Sequence, residues 1–277
     1  MRHGIVVMNL GDFADPRTVV RLGRLAESSG WDGLFLWDHL GFVWDGPSAD
    51  AWTTLAMVAG TTERLILGTA VSPIARYRPH VLANALATLD VGSGGRVVLG
   101  VGLGGVPREF GSFGEPEDLR ARAEMTDEAL EVITRLWSGE TVTHQGRHYT
   151  VHEIALAPLP AQRPRIPIWV GGMSHAALHR AARWDGWLAS TATQQLTMSH
   201  DPAALAAVVE RLQLHRREAG RTSEPFDVVV DGYTAPNDRM LVAEYAAAGA
   251  TWWLESLHGM RGTTEELFAR VAAGRAR

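Results

Sequence analysis

Residues 64–104 read RLILGTAVSPIARYRPHVLANALATLDVGSGGRVVLGVGLG, and the order of apolar runs and breakers within them decides the fold. Leu65, Ile66 and Leu67 form an apolar run that stops at Gly68. Ser72 and Pro73 interrupt, and Pro79 stands where a helix takes a proline in its first turn. Leu82, Leu86 and Leu89 recur on one face of that helix until Gly92, Gly94 and Gly95 break it. A second apolar run, Val97 to Val101, ends in Gly102 and Gly104. Strands apolar on both faces and joined by a helix belong to a parallel sheet covered on both sides. The chemistry of such folds sits in the loops at the carboxyl ends of the strands.

The same alternation extends outward in both directions. Upstream, residues 4–10 form a strand, Asp15 and Pro16 start a helix that runs to Gly30, and residues 33–37 form a second strand running straight into Asp38 and His39. Residues 51–60 read as the next helix. Downstream, a Gly/Pro/Phe loop holds Arg108, Glu109 and Phe110, and a long helix carries Ala129, Leu130, Ile133, Leu136 and Trp137 on one stripe. Residues 139–163 read as an excursion with a hairpin that turns at Gly146. Strands follow over 166–170, 186–190, 226–230 and 251–254, the last ending at Glu255. Helices start near Ser174, Asp201, Arg239 and Thr263, the last with a capping box to Glu266. These eight strand-then-helix units predict an α/β fold, a (β/α)8 TIM barrel with an insertion after strand four, as a single domain over 1–277. The competing open doubly wound sheet needs a Gly-x-Gly-x-x-Gly turn after strand one, which residues 4–30 lack.

Composition narrows the function. The 277 residues contain no cysteine, which removes disulfides, thiolate catalysis and cysteine metal sites. A formal charge of -5 gives no electrostatic case for nucleic acid. No apolar run approaches membrane-spanning length, so no membrane partner is expected. The first strand opens the chain without a signal peptide, and a cytoplasmic enzyme is the expectation. No His-Glu-x-x-His, Gly-x-Ser-x-Gly or Gly-Lys-Ser/Thr motif occurs, and no metal site is expected; His144, His148 and His152 lie in the excursion, where their spacing of four means little off a helix.

The candidate site residues follow from the strand ends. Asp38 and His39 are adjacent, so at most one enters the barrel mouth until the strand bends. His39 can donate to a ligand and change charge near neutrality, or bond a neighbouring loop; Asp38 orients other groups. Gly171, Gly172, Met173 and Ser174 lie between a strand and a helix start, where close backbone approach and free amides suit a phosphate. Glu109, Glu255, Arg76, Arg78 and His80 are further charged groups near strand ends. The ten tryptophans should line the core or a cleft for a planar ligand, with Trp37, Phe42, Trp44 and Trp252 at the mouth.

Several stretches together resemble the luciferase-like monooxygenase family of flavin and deazaflavin oxidoreductases. They are WDHL at 37–40, GTAVSP at 68–73, ATLDVGSGGRVVLGVGLGG at 87–105, EFGSFG at 109–114, GRHYTV at 146–151, IPIWVGG at 166–172 and AARWDGW at 181–187. The resemblance implies a cofactor across the carboxyl ends of the strands. Asp-His at the end of strand two resembles the users of a deazaflavin (coenzyme F-420), and FMN is the alternative. It also implies a cis peptide between Ala70 and Val71 behind the ring. With the strand-end candidates, the expected cofactor-binding residues are Ala70, Val71, Ser72, Gly104 and Gly171, Gly172, Met173 and Ser174, and the expected catalytic ones His39, Asp38 and Glu109. Ala70 stands where the sugar-phosphate dehydrogenases of the group have serine, and Gly105 where they carry a catalytic glutamate, so that reaction is not expected; Glu109 lies four residues on. The implied activity is hydride transfer to or from a small organic substrate. The alternatives are an FMN-dependent monooxygenase served by a flavin reductase, and a barrel that binds a flavin-like ligand without turnover. A homodimer is left open.

Overall fold

The computed structural model describes residues 1–40, 46–193, 195–235 and 238–275. Phe42 and Trp44, expected at the mouth, lie outside them. Eight strands form one closed sheet: β1 Arg2–Val7, β2 Gly33–Leu36, β3 Ile66–Thr69, β4 Val97–Gly102, β5 Ile168–Gly171, β6 Gly186–Ala189, β7 Asp227–Gly232 and β8 Trp252–Leu257. Each pairs in parallel with its neighbours in chain order, and β8 returns to β1 over six register pairs from Arg2↔Trp252 to Val7↔Leu257. Ser72–Pro73 adds a two-residue strand beside the end of β4.

A helix follows every strand: α1 Pro16–Ser28, α2 Ala51–Ala59, α3 Pro79–Ser93, α4 Leu119–Leu136, α5 His175–Ala181, α6 Pro202–Glu218, α7 Arg239–Ala247 and α8 Thr264–Ala272. Local chemistry fixes their starts. Side chains of Asp15, Asp50, Asp118, Ser174, Asp201, Asp238 and Thr263 accept from amides of the first turn they precede, and Pro79 opens α3 without a side-chain cap. The expected insertion is present between β4 and β5. Beyond α4 it holds the hairpin Val142–Gln145 with Thr150–Ile154, tied to α4 through Glu128, which accepts from the amides of His148 (2.9 Å) and Tyr149 (2.7 Å) and contacts His144.

Two apolar layers result from strand alternation. The outer one lies between sheet and helices. The inner one fills the barrel with Val6, Phe35, Val98, Trp169, Leu188, Val229, Trp252 and Leu254. Phe35 stacks on Trp169 with centroids 5.2 Å apart, and Trp252 meets both rings edge-on at 5.7 and 5.4 Å. A Cβ at Gly4, Gly33 or Gly68 would crowd the Phe35 ring, so those glycines make room for it.

Three expectations change here. Trp252 begins β8 and is buried at the amino end of the barrel with Arg2 against its ring, not at the mouth. Strand eight runs on to Leu257, which leaves Glu255 inside it and fully buried on the outward face. Strand one stops at Val7, because after the Met8 amide bonds Leu257 the chain turns into a short 3-10 segment, Gly11–Ala14.

A Cβ at Gly100 would collide with the carbonyl oxygen of Thr69 on the neighbouring strand, whereas one at Gly92 on α3 meets nothing within 4 Å. Gly100→Ala is expected to lower unfolding free energy by more than about 2 kcal/mol, and Gly92→Ala to raise it by roughly 0.5–1 kcal/mol. Urea titration of both variants checks the pair.

Candidate functional site

The loops after β2, β3 and β4 converge at the carboxyl end of the barrel through charged side chains. β2 ends at Leu36, and Asp38 turns inward and is almost fully buried. One of its oxygens accepts from the Ser72 hydroxyl (2.5 Å) and the Tyr77 phenol (2.7 Å), the other from the Arg76 guanidinium (2.6 Å). Arg76 also donates to the Asp38 carbonyl at 2.8 Å and to Glu109 Oε2 at 3.3 Å. Glu109, in the short turn Arg108–Gly111, receives the Leu40 amide at 2.8 Å and contacts His39 Nδ1 at 2.9 Å. Burial pushes the Asp38 carboxyl up, opposed by Arg76, Ser72 and Tyr77; burial and then Asp38 push the Tyr77 phenol well above its ordinary value.

The three expected catalytic residues are thus brought together. His39 contacts Glu109 on one side, and its ring lies 5.7 Å from that of Trp37. Arg76 is not a surface cation: its side chain is 3% exposed and binds two carboxylates. Its charge is committed to the loops of the rim. Ser72, expected to bind cofactor, is fully buried and engaged with Asp38.

Beside this network lies a cavity of about 540 Å³ whose walls include Trp37, Ala70, Val71, Gly104, Gly105, Gly171, Gly172, Met173 and Ser174. The Ala70–Val71 peptide bond is cis. The Val71 side chain lies against Gly102 and Gly171, where any Cβ would collide with it. Thr126 Oγ1, also in this wall, is buried with no partner among the described residues. Around the expected phosphate turn, the Gly172 amide already donates to Leu188 (3.3 Å) and the Ser174 hydroxyl caps α5 through Ala177. The amides of Met173 and Ser174 have no acceptor among the described residues.

A second, smaller cavity of about 50 Å³ opens between the ends of β1, β6, β7 and β8, and shares Val6, Trp37 and Asp231 with the larger one. Asp231 ends the Val-rich strand β7, and its Oδ1 accepts from the amides of Thr191 (2.6 Å) and Ala192 (3.3 Å). Burial pushes this carboxyl up, against those amides. Tyr233 donates its one proton to the Thr193 carbonyl (2.9 Å), so the 2.9 Å contact with His258 Nε2 requires the imidazole to donate. His258 Nδ1 is then an acceptor, and it has no partner among the described residues. Burial, and then Arg261, hold the imidazole below its ordinary value and so neutral. None of Asp231, Tyr233 or His258 is marked by a motif. Glu255, on the outer face of β8, pairs with Arg261 and Arg270 and accepts from the Thr234 amide at 2.9 Å. It is a salt-bridge partner, but outside the mouth.

Among the described residues no three or more His, Cys, Asp or Glu side chains are grouped to hold a metal ion, and no helix is long and apolar enough to cross a membrane. The luciferase-like monooxygenase family model matches residues 2–277. An F420-dependent glucose-6-phosphate dehydrogenase of Microbacterium testaceum is 35% identical over 223 residues, covering 78% of this chain and 63% of its own. An F420-dependent hydroxymycolic acid dehydrogenase of Mycobacterium tuberculosis is 34% identical over 238 residues, covering 83% and 64%. The chain therefore spans a little under two thirds of the length of these curated relatives. Among solved structures, an F420-dependent secondary alcohol dehydrogenase superposes with a TM-score of 0.80 at 19% identity, covering 98% of this chain and 97% of that one. A monooxygenase from Streptomyces bottropensis gives 0.77 at 22%, covering 98% and 96%. At such identities the structural likeness concerns the fold.

Two stability outcomes follow from the buried charges. Arg76→Met leaves Asp38 and Glu109 without their shared cation and is expected to cost about 3–5 kcal/mol at neutral pH, with part of the loss recovered as acid protonates them. Equilibrium unfolding at neutral and acid pH measures both. Asp231 binds its proton more tightly in the folded than in the unfolded chain, so between those two values stability falls as pH rises. Asp231→Asn should accordingly melt no lower than the parent at neutral pH, by about 2–4 °C higher per kcal/mol recovered, with the gap closing as pH falls through the carboxylate range.

Proposed function

The chain belongs to the luciferase-like monooxygenase family, and from that premise we propose that it is an oxidoreductase, working as one barrel domain, that transfers hydride between a deazaflavin and a small organic substrate. The larger cavity carries the reading. Its volume suits a cofactor ring system, its floor is the apolar turn at Ala70 and Val71, and the unpartnered Thr126 hydroxyl and the Met173 and Ser174 amides are polar groups a cofactor would satisfy. The choice of deazaflavin over FMN is supported by the F420-dependent names of relatives at 34–35% identity and by Asp38–His39 at the end of β2.

When bound, the deazaflavin supplies or accepts the hydride. The chain places and shields the ring, through Ala70, Val71, Gly104 and Gly171 to Ser174. Asp38, held by Ser72, Arg76 and Tyr77, fixes the loop that carries His39. His39 and Glu109 form the pair that holds or moves the substrate proton. A sugar phosphate is not the substrate proposed: Arg76, Arg180 and Arg261 near the mouth are each paired with a carboxylate.

Titration of the purified protein with coenzyme F-420 and with FMN, followed by tryptophan fluorescence, tests this reading. Quenching by the deazaflavin at lower concentration than FMN is the expected result; the reverse order would replace the reading with an FMN enzyme that needs a flavin reductase. A Cβ at Gly105 meets nothing within 4 Å. Gly105→Phe should therefore fill the cavity, weaken cofactor binding at least about ten-fold, and leave the Tm within a few degrees.

A further inference from the structure

The smaller cavity has no part in the cofactor argument, and its polar groups are nearly all of one kind. Its wall is apolar at Val6, Met8 and Met260. Asp231 Oδ1 is held by two amides and the Thr191 hydroxyl, and among the described residues no hydrogen bond engages Oδ2. The Tyr233 proton is directed at the Thr193 carbonyl. His258 Nδ1 is buried beneath the cavity surface, and its Nε2 is committed to Tyr233, so the imidazole presents no group to a guest. The Ser256 hydroxyl can serve either way. Arg261, the cation beside Tyr233, pairs with Glu255 and donates to the carbonyls of Ser256 (2.6 Å) and Thr234 (2.9 Å). A guest thus meets one open acceptor, Asp231 Oδ2, the adaptable Ser256 hydroxyl, and donors that are engaged.

We propose that this cavity is a substrate subsite that takes the hydroxyl or amine end of a compact, otherwise apolar molecule, with Asp231 as the selecting acceptor, and that it refuses an anion. Calling the guest a substrate rests on the proposed function; the preference for a hydrogen-bond donor does not. The volume of about 50 Å³ holds roughly three to five water-sized groups, so only the polar end of the guest enters. In its ionised form Asp231 repels a second negative charge, and a carbonyl oxygen placed there would face lone pairs. A hydroxyl or protonated amine would instead donate to Asp231 Oδ2.

The test uses cyclohexanol, cyclohexanone and cyclohexanecarboxylate, which share a ring and differ in the polar group. Each is titrated into the protein saturated with deazaflavin, and again without it, with Trp37 in the cavity wall as the fluorescence reporter. The alcohol is expected to bind about ten-fold more tightly than the ketone, and the carboxylate most weakly. In Asp231→Asn the amide oxygen must face the Thr191 and Ala192 amides, which turns its NH2 toward the cavity. The variant should therefore prefer the ketone. Wild-type protein that binds ketone or carboxylate as tightly as alcohol overturns the proposal, as does a folded Asp231→Asn that keeps the alcohol preference. Should the variant fail to fold, the wild-type order decides alone. An alcohol preference in a protein that binds no deazaflavin would sink the proposed function and support the subsite. Cofactor binding with no alcohol preference would remove the subsite alone.

Discussion

Phe35, Trp169 and Trp252 close the inside of the barrel by packing on one another, and the depth of the mouth depends on that contact. Each such ring buries on the order of 150–250 Å², worth about 4–6 kcal/mol apiece as an upper bound on area transfer. Three small positions, Gly4, Gly33 and Gly68, leave the space Phe35 occupies. Above the rings the walls include Val6, Ala70, Val71 and Leu188 with glycines at the strand ends, and a cavity of about 540 Å³ remains. A smaller set of rings would leave space beneath the Ala70 and Val71 turn and let the cavity run down the axis.

That apolar base allows the rim to hold charges that stabilise little by themselves. Asp38, Arg76 and Glu109 are nearly buried, and burying ions costs about as much as their pairing returns. What the cluster provides is position. Arg76 from the loop after β3 joins a carboxylate after β2 to one after β4, so three loops share one geometry and His39 is held with them. On the outer side of the sheet Glu255 does the same for Arg261 and Arg270, locking the β7 and β8 ends against α8.

Most of the fold was legible because each unit carries its own signals: an apolar run, a capping residue, a glycine where a strand ends. Strand limits were less so. Glu255 reads as the end of a strand because a carboxylate in an apolar run looks like a boundary, yet its partners lie more than five residues away in sequence, on Arg261 and Arg270. Arg76 reads only as a charged group near a strand end, because both its carboxylate partners lie more than thirty residues away in sequence. Asp38, His39 and Glu109 could each be named from strand ends, but their contact depends on how separate loops fold over the rim. Asp231 was not visible at all: VVVDG is an ordinary strand end, and only the closed barrel sets it between two cavities.

The seam between β1 and β8 has a consequence for synthesis. The six register pairs that close the sheet join residues 2–7 to residues 252–257. During translation β1 therefore waits with one unpaired edge until β8, some 250 residues on, has left the ribosome. At about 5–20 residues per second this interval lasts on the order of ten to fifty seconds. An exposed apolar edge over that time is open to pairing with another nascent chain.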